Sequence, residues 1–227
     1  MKYRVILQSR INSSRLPGKA MLSFFGLPLV VACAKRTMQF TSDYIVATSE
    51  APQDNIIAEN LSAYKIKFYR GSLDNVLERF YMASRDLEHD DTIIRLTADN
   101  ILPDCYFLKD MSQIWESNNW DYLGADSEKN LLPKGLSAEF FKVSALRTAQ
   151  REARNDYDRE HVTPYIKDAL KASYLEMNFL DQQEFENRYT IDTLEDYISI
   201  YNLLGGSEKE NLFVDYKTLL NKSLVNL

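Results

Sequence analysis

The chain is poor in the residues of metal and redox chemistry: two of its 227 residues are cysteine and two are histidine. Cys33 and Cys105 lack the paired spacing of a zinc site and read as small buried hydrophobes, and His89 and His161 are too few for a histidine-rich centre. No apolar run approaches the length that spans a bilayer, and the opening MKYRVILQSR lacks the long apolar core and small-residue cleavage site of a secretory signal. A cytoplasmic protein with no membrane partner is expected. Positive charge is also short, with 27 Lys and Arg against 33 Asp and Glu and a net charge of -6. That balance excludes a general nucleic-acid surface, which needs a basic field to neutralise many phosphates. Glycine is sparse at seven residues, and no GxGxxG follows the first apolar run, so a nicotinamide or flavin Rossmann site has no support.

What is present is an ordinary core, 45% hydrophobic, arranged in alternation. Strand-like YRVIL, DYIVATS, IKFY and TIIRLTA alternate with helix-period segments at PLVVACAKRTMQF, QDNIIAENLSAY and NVLERFYMASRDL. This is the βαβ pattern of an α/β protein, a mostly parallel sheet with helices on both faces. Beyond Trp120 the pattern loosens into a WDYLGA strand, a polar stretch, an LSAEFFKV strand, two helices and an RYTID segment. A single domain with an inserted lobe at about 125–185 is expected.

Parallel sheets bind ligands where the chain leaves the carboxyl ends of their strands. There, in QSRINSSRLPGKAM, stand Arg10, Arg15 and Lys19 with Ser13 and Ser14. Guanidinium groups pair bidentately with phosphate oxygens, and an ammonium adds a point charge. The loop reads as a phosphate cradle, with a solvated basic loop as the plainer alternative. It is not a Walker loop, because Ser13 stands at the first glycine position and Ala20 at the Ser/Thr position. Asp99, ending IIRLTADN, suits magnesium or caps the helix after Pro103; Asp192, in RYTIDTLEDY, has the same two readings. Gly71 and Ser72 in YRGSLDNVLERF offer backbone groups to a base or form a turn capped by Asp74, and DYDREHVTPYI presents Arg159, His161 and Thr163.

Taken together, these segments resemble the nucleotide-sugar cytidylyltransferases of the spore-coat polysaccharide type, relatives of the enzymes that make CMP forms of 3-deoxy-manno-octulosonate and sialic acids. ILQSRINSSRLPGK is similar to the family's LQAR-x-x-S-T-R-L-P-G-K, and RGSLDNVLERF, IIRLTADN, GLSAEFF, REHVTPYI and YTIDTLEDY follow in the family's order. The resemblance implies a doubly wound fold of the nucleotide-diphospho-sugar transferase kind, CTP as donor, a sugar or sugar-acid acceptor, release of pyrophosphate, and a homodimer joined through the inserted lobe. It places the triphosphate on Arg10, Ser13, Arg15 and Lys19, and Mg2+ on Asp99 and Asp192, with Arg10, Lys19 and Asp99 closest to the chemistry. Gln8, Gly71 and Ser72 would line the cytosine and ribose pocket, and Glu139, Arg159, His161 and Thr163 would face the acceptor.

The chain departs from the pattern in places. Thr-Gly-Asp-Cys-Pro has become Thr97-Ala98-Asp99-Asn100-Ile101, and Gly-Leu-Asp-Val-Glu has become Gly135-Leu136-Ser137-Ala138-Glu139. Asn12 stands where the family has glycine and is expected to keep a left-handed turn. Two other functions stay open at this point: a nucleotide-sugar-dependent glycosyltransferase, and a silent nucleotide-binding subunit.

Overall fold

The computed structural model describes residues 2–125, 132–175 and 188–225. Its first half runs β1 (Tyr3–Gln8), a hairpin of β2 (Ser23–Phe24) and β3 (Leu27–Pro28), α1 (Leu29–Thr37), β4 (Tyr44–Ser49), α2 (Asn55–Ala63), β5 (Phe68–Gly71), α3 (Val76–Ala83) and β6 (Thr92–Thr97). The second half runs α4 (Cys105–Glu116), β7 (Tyr122–Gly124), β8 (Glu139–Lys142), α5 (Val143–Glu152), α6 (Asp156–His161), α7 (Pro164–Ala169), β9 (Ala172–Tyr174), α8 (Leu194–Leu203) and α9 (Tyr216–Val225).

Seven strands form one sheet in the order β5-β4-β1-β6-β8-β7-β9. β5, β4, β1 and β6 pair in parallel, β8 runs antiparallel to both neighbours, and β9 returns parallel to β7. The sheet is therefore mostly parallel, as the alternation implies. Because β1 is central, its residues pack on both sides: Val5 and Leu7 join one core, and Ile6 joins the other. The same split separates Phe140 from Phe141 on β8. Helices α1, α2, α4, α8 and α9 cover the first face, and α3, α5 and α7 cover the second.

Arg36 binds the C-terminal segment to this core. It is 2% exposed, and its guanidinium donates to the carbonyls of Leu102, Asn211, Leu212 and Val214 at 3.0–3.3 Å.

Several local expectations change. Among the described residues, three helices rather than two stand between β8 and the RYTID segment, and Ala172–Tyr174 adds a strand too short to read from its sequence. Part of the lobe expected at about 125–185, residues 126–131 and 176–185, lies outside the described residues; the described part contributes β8 and β9 to the common sheet. Cys33 is buried, whereas Cys105 is only partly so, and both are free thiols. Asn12 has no left-handed backbone; the turn of the opening loop is made at Gly18, φ 79°, where glycine carries no steric penalty.

Candidate active site

Gln8 on β1 lies beside Thr97 on β6, so the loops that leave these strands emerge side by side at one edge of the sheet. Between them opens a cleft of about 330 Å³, lined by Gln8, Arg10, Ser13, Arg15, Lys19, Asp99, His161 and Asp192. Eight of the thirteen residues singled out from the sequence thus meet in one place.

The basic loop is held from below. The Ile11 amide donates to Asp54 Oδ1 at 2.7 Å, and the amides of Ser13 and Gly18 both donate to the Ile11 carbonyl, at 3.1 and 2.9 Å. Asp54 is 1% exposed and also accepts from the Thr48 hydroxyl, the Ser49 amide and the Ser49 hydroxyl. One buried carboxylate thereby fixes the loop's start, and the Ile11 carbonyl closes its turn.

Neither aspartate of the cleft caps a helix. Asp104 caps α4 by accepting from the Phe107 amide at 2.8 Å, and Thr193 caps α8 in a reciprocal capping box with Asp196. Asp99 and Asp192 are free for other work, and a β-bridge between Asn100 and Thr190 draws them together. The Ile191 amide donates to the Asp99 carbonyl at 2.9 Å. Gly135 allows this approach: at φ 104°, a Cβ there would lie 2.5 Å from the Tyr189 carbonyl carbon.

Charge in the cleft is closely paired. The Lys19 ammonium reaches Asp99 Oδ2 at 2.8 Å, Asp192 Oδ1 at 3.2 Å and the Ile191 carbonyl at 2.7 Å. Arg15 and Arg188 meet Asp192 Oδ2 at 2.8 and 2.5 Å, and Arg188 also reaches Asp196 at 3.2 Å. Arg10 stands 3.6 Å from Glu160. Two oxygen-donor carboxylates with a cation held between them suit a hard divalent ion such as Mg2+. Among the described residues no cluster of three or more His, Cys, Asp or Glu could cage a metal, so such an ion would draw further ligands from phosphate and water.

Thr97 also lines a second cleft, of about 230 Å³, with Arg95, Lys134, Ser137, Glu139 and Lys167. Glu139 belongs here, but its carboxylate is occupied by protein. It accepts from Tyr122 at 2.7 Å, Thr163 at 2.8 Å and Lys167 at 2.8 Å, and it pairs with Arg95. Burial pushes its pKa up, but the Arg95 and Lys167 charges and the hydrogen bonds from Lys167 and Tyr122 outweigh it, leaving the group at about 2. Glu139 fixes the two cations in place rather than presenting a free carboxylate.

Arg159 lies at a third cleft with Arg10, Asp74, Asn75, Asp156 and Glu160. Asn75, not Asp74, caps α3, accepting from the Glu78 amide at 3.0 Å. Gly71 and Ser72 line none of these clefts; Ser72 Oγ accepts from the Asn75 amide, and its carbonyl accepts from the buried Arg79. His161 is exposed at the first cleft, its ring 4.4 Å from that of Tyr157, while Thr163 is buried against Glu139. Between them Val162 sits at φ 72°, ψ -53°, and the Thr163 amide donates to the His161 carbonyl at 2.8 Å. This strained γ-turn points His161 into the first cleft and turns Thr163 inward onto Glu139, which lines the second.

The family model for cytidylyltransferases matches residues 4–220. The chain belongs to the cytidylyltransferase family. It is thus placed among the nucleotidyltransferase enzymes. It is 30% identical to a spore coat polysaccharide biosynthesis protein of Bacillus subtilis over 96% of this chain and 93% of that one. It is 36% identical to an uncharacterized protein of Methanocaldococcus jannaschii over 87% and 81% of the two chains. A solved cytidylyltransferase from Leptospira borgpetersenii superposes with a TM-score of 0.87 at 26% identity, covering 100% of this chain and 95% of that one.

For this cytidylyltransferase, sequence reading passed over Arg95, Lys134, Lys167, Arg188 and Asp54. Arg95 had a signal, a charge inside the apolar run TIIRLTA, where only a buried partner would tolerate it. Arg188 lay in the RYTID segment itself, four residues before Asp192.

Proposed function

We propose that the protein transfers a cytidylyl group from CTP to a hydroxyl of an anionic sugar, with pyrophosphate as the leaving group. The observation that carries this reading is the meeting of Asp99, Asp192 and Lys19 at a cleft whose other wall is the Arg10–Arg15 loop. The acceptor hydroxyl attacks the α-phosphorus in line, the bond to the bridging oxygen of pyrophosphate breaks, and the hydroxyl proton is released to solvent. Negative charge grows on the leaving group, where Arg10 and Arg15 supply paired N–H donors. Asp99 and Asp192 would hold Mg2+, which supplies Lewis-acid stabilisation of the phosphate oxygens.

The acceptor fits the second cleft, where Arg95, Lys134 and Lys167 face a single carboxylate, Glu139. Glu139 is already paired with Arg95 and Lys167, whereas the Lys134 ammonium has no ion pair among the described residues. That surplus favours a carboxylate, phosphate or phosphonate on the acceptor. Thr97 lines both clefts, so an acceptor in the second would lie beside phosphates in the first. The base and ribose are assigned to the third cleft, between Arg10 and the turn that follows Gly71 and Ser72. A cytoplasmic homodimer completes the reading, and light scattering at twice the chain mass checks the dimer.

Pyrophosphate release from CTP and Mg2+ across a panel of sugar acids, sugar phosphates and phosphonates tests the function. Release that depends on an anionic acceptor is expected. No release with any acceptor, alongside consumption of a preformed nucleotide sugar, would replace the reading with glycosyl transfer.

A further inference from the structure

Lys19 is placed where the phosphate contact expected of it competes with the Asp99–Asp192 pair. An ammonium has three N–H donors and no acceptor. In this structure its three partners are Asp99 Oδ2, Asp192 Oδ1 and the Ile191 carbonyl, at 2.8, 3.2 and 2.7 Å. No donor is left for a phosphate. The group is also sheltered, with the Lys19 side chain 13% exposed and that of Asp192 9%.

We propose that Lys19 is the resident counter-ion of the Asp99–Asp192 pair: it excludes a divalent cation from the free protein and gives up the pair only when a polyphosphate draws its ammonium away. The inference rests on the cytidylyltransfer reading for the identity of that polyphosphate. Mg2+ needs oxygen ligands at about 2.0–2.1 Å in near-octahedral geometry and gives up its water reluctantly. An ammonium within hydrogen-bonding distance of both carboxylates fills the space that a bridging ion would take, and its charge repels that ion at short range. Asp192 is neutralised twice over, since Arg15 and Arg188 hold its other oxygen. With this charge balance complete, the free protein gains little from a metal. A triphosphate changes the balance, because it offers Lys19 strong acceptors and brings its own need for a dication. Metal and nucleotide then arrive together, and the same lysine that blocks the ion in the empty cleft binds phosphate in the filled one.

Manganese binding to the nucleotide-free protein, followed by electron paramagnetic resonance of the unbound ion, tests this. Wild-type protein is expected to bind Mn2+ only weakly. Lys19→Met, similar in length and uncharged, is expected to bind it at least tenfold tighter, and Asp99→Asn added to that variant is expected to remove the gain. The same Lys19→Met variant is expected to lose at least tenfold in affinity for inorganic tripolyphosphate. Micromolar Mn2+ binding by free wild-type protein would overturn the proposal without any variant. So would a folded Lys19→Met protein that binds Mn2+ no tighter, or a gain that survives Asp99→Asn. Failure of CTP to raise the wild-type melting temperature would instead remove the cytidylyl reading while leaving the lysine's hold on the pair intact.

Discussion

Asn100 Nδ2 donates to Ser137 Oγ at 2.8 Å, which joins two positions where the chain departs from its family's pattern, cysteine to asparagine and aspartate to serine. The same amide nitrogen donates to Thr97 Oγ1 at 2.9 Å, on the wall shared by the two clefts. A carboxylate at position 137 would stand in the cleft lined by Arg95, Lys134 and Lys167 and offset their charge. Serine leaves Lys134, the cation not paired with Glu139, available to the acceptor proposed for this cleft.

Ser137→Asp is therefore expected to weaken binding of an anionic acceptor by roughly tenfold, about 1.4 kcal/mol of added repulsion. Steady-state kinetics should show the loss in KM for the acceptor, with KM for CTP little changed. An unchanged acceptor KM would place the anion elsewhere.

Glu139 makes acid stability a sensitive readout. Its pKa is lowered from 4.5 to about 2 in the folded protein, so its contribution is full above about pH 4.5 and is lost as pH falls toward 2. A shift of that size corresponds to roughly 3 kcal/mol. The melting temperature of Glu139→Gln should lie well below wild type at pH 7, and the gap should narrow between pH 4.5 and pH 2.

Gly135→Ala is expected to cost both stability and activity. The added Cβ would meet backbone atoms of Tyr189 and Thr190 at 2.5–2.8 Å, at a positive φ that alanine resists. The segment bearing Asp192 must then move away from Asp99. A fall of several degrees in melting temperature, with turnover reduced more than a stability loss alone explains, is the expected result.

Asp54 supports the basic loop from a distance. Removing it in Asp54→Ala strands the Ile11 and Ser49 amides and the Thr48 hydroxyl in a buried setting, at a cost of about 2–4 kcal/mol. Denaturant titration should show that loss, and CTP binding should weaken because the Arg10–Arg15 turn loses its anchor.

The parts of this site that lie close in sequence were legible there. Arg10, Arg15 and Lys19 sit within ten residues, directly after an apolar strand, and strand alternation placed that loop at a ligand-binding edge. Legibility ended where the fold acts over distance. Asp54 anchors a loop 43 residues away, and Lys19 meets Asp192 across 173 positions. Apolar patterning also carries no strand direction, so LSAEFFKV read as a strand without revealing that β8 runs against its neighbours. Glu139 was found from its segment, but the four donors that occupy it come from β6, β7, α7 and the turn before α7. The capping choices at Thr193 and Asn75 depended on single-residue shifts that propensity does not resolve, and at α4 the cap fell to Asp104, five residues beyond Asp99.

Whether the cleft between Arg10, Arg15, Lys19, Asp99 and Asp192 receives CTP is measured by thermal unfolding of the wild-type protein with Mg2+ and each of CTP, UTP, ATP and GTP in turn. At a concentration one hundred times the dissociation constant, a ligand adds about 2.7 kcal/mol, which raises the melting temperature of a chain this size by roughly 5–10 °C. CTP is predicted to give a rise of that order and the other three markedly less; equal rises with all four nucleotides, or none with CTP, would show that the cleft is not a CTP site.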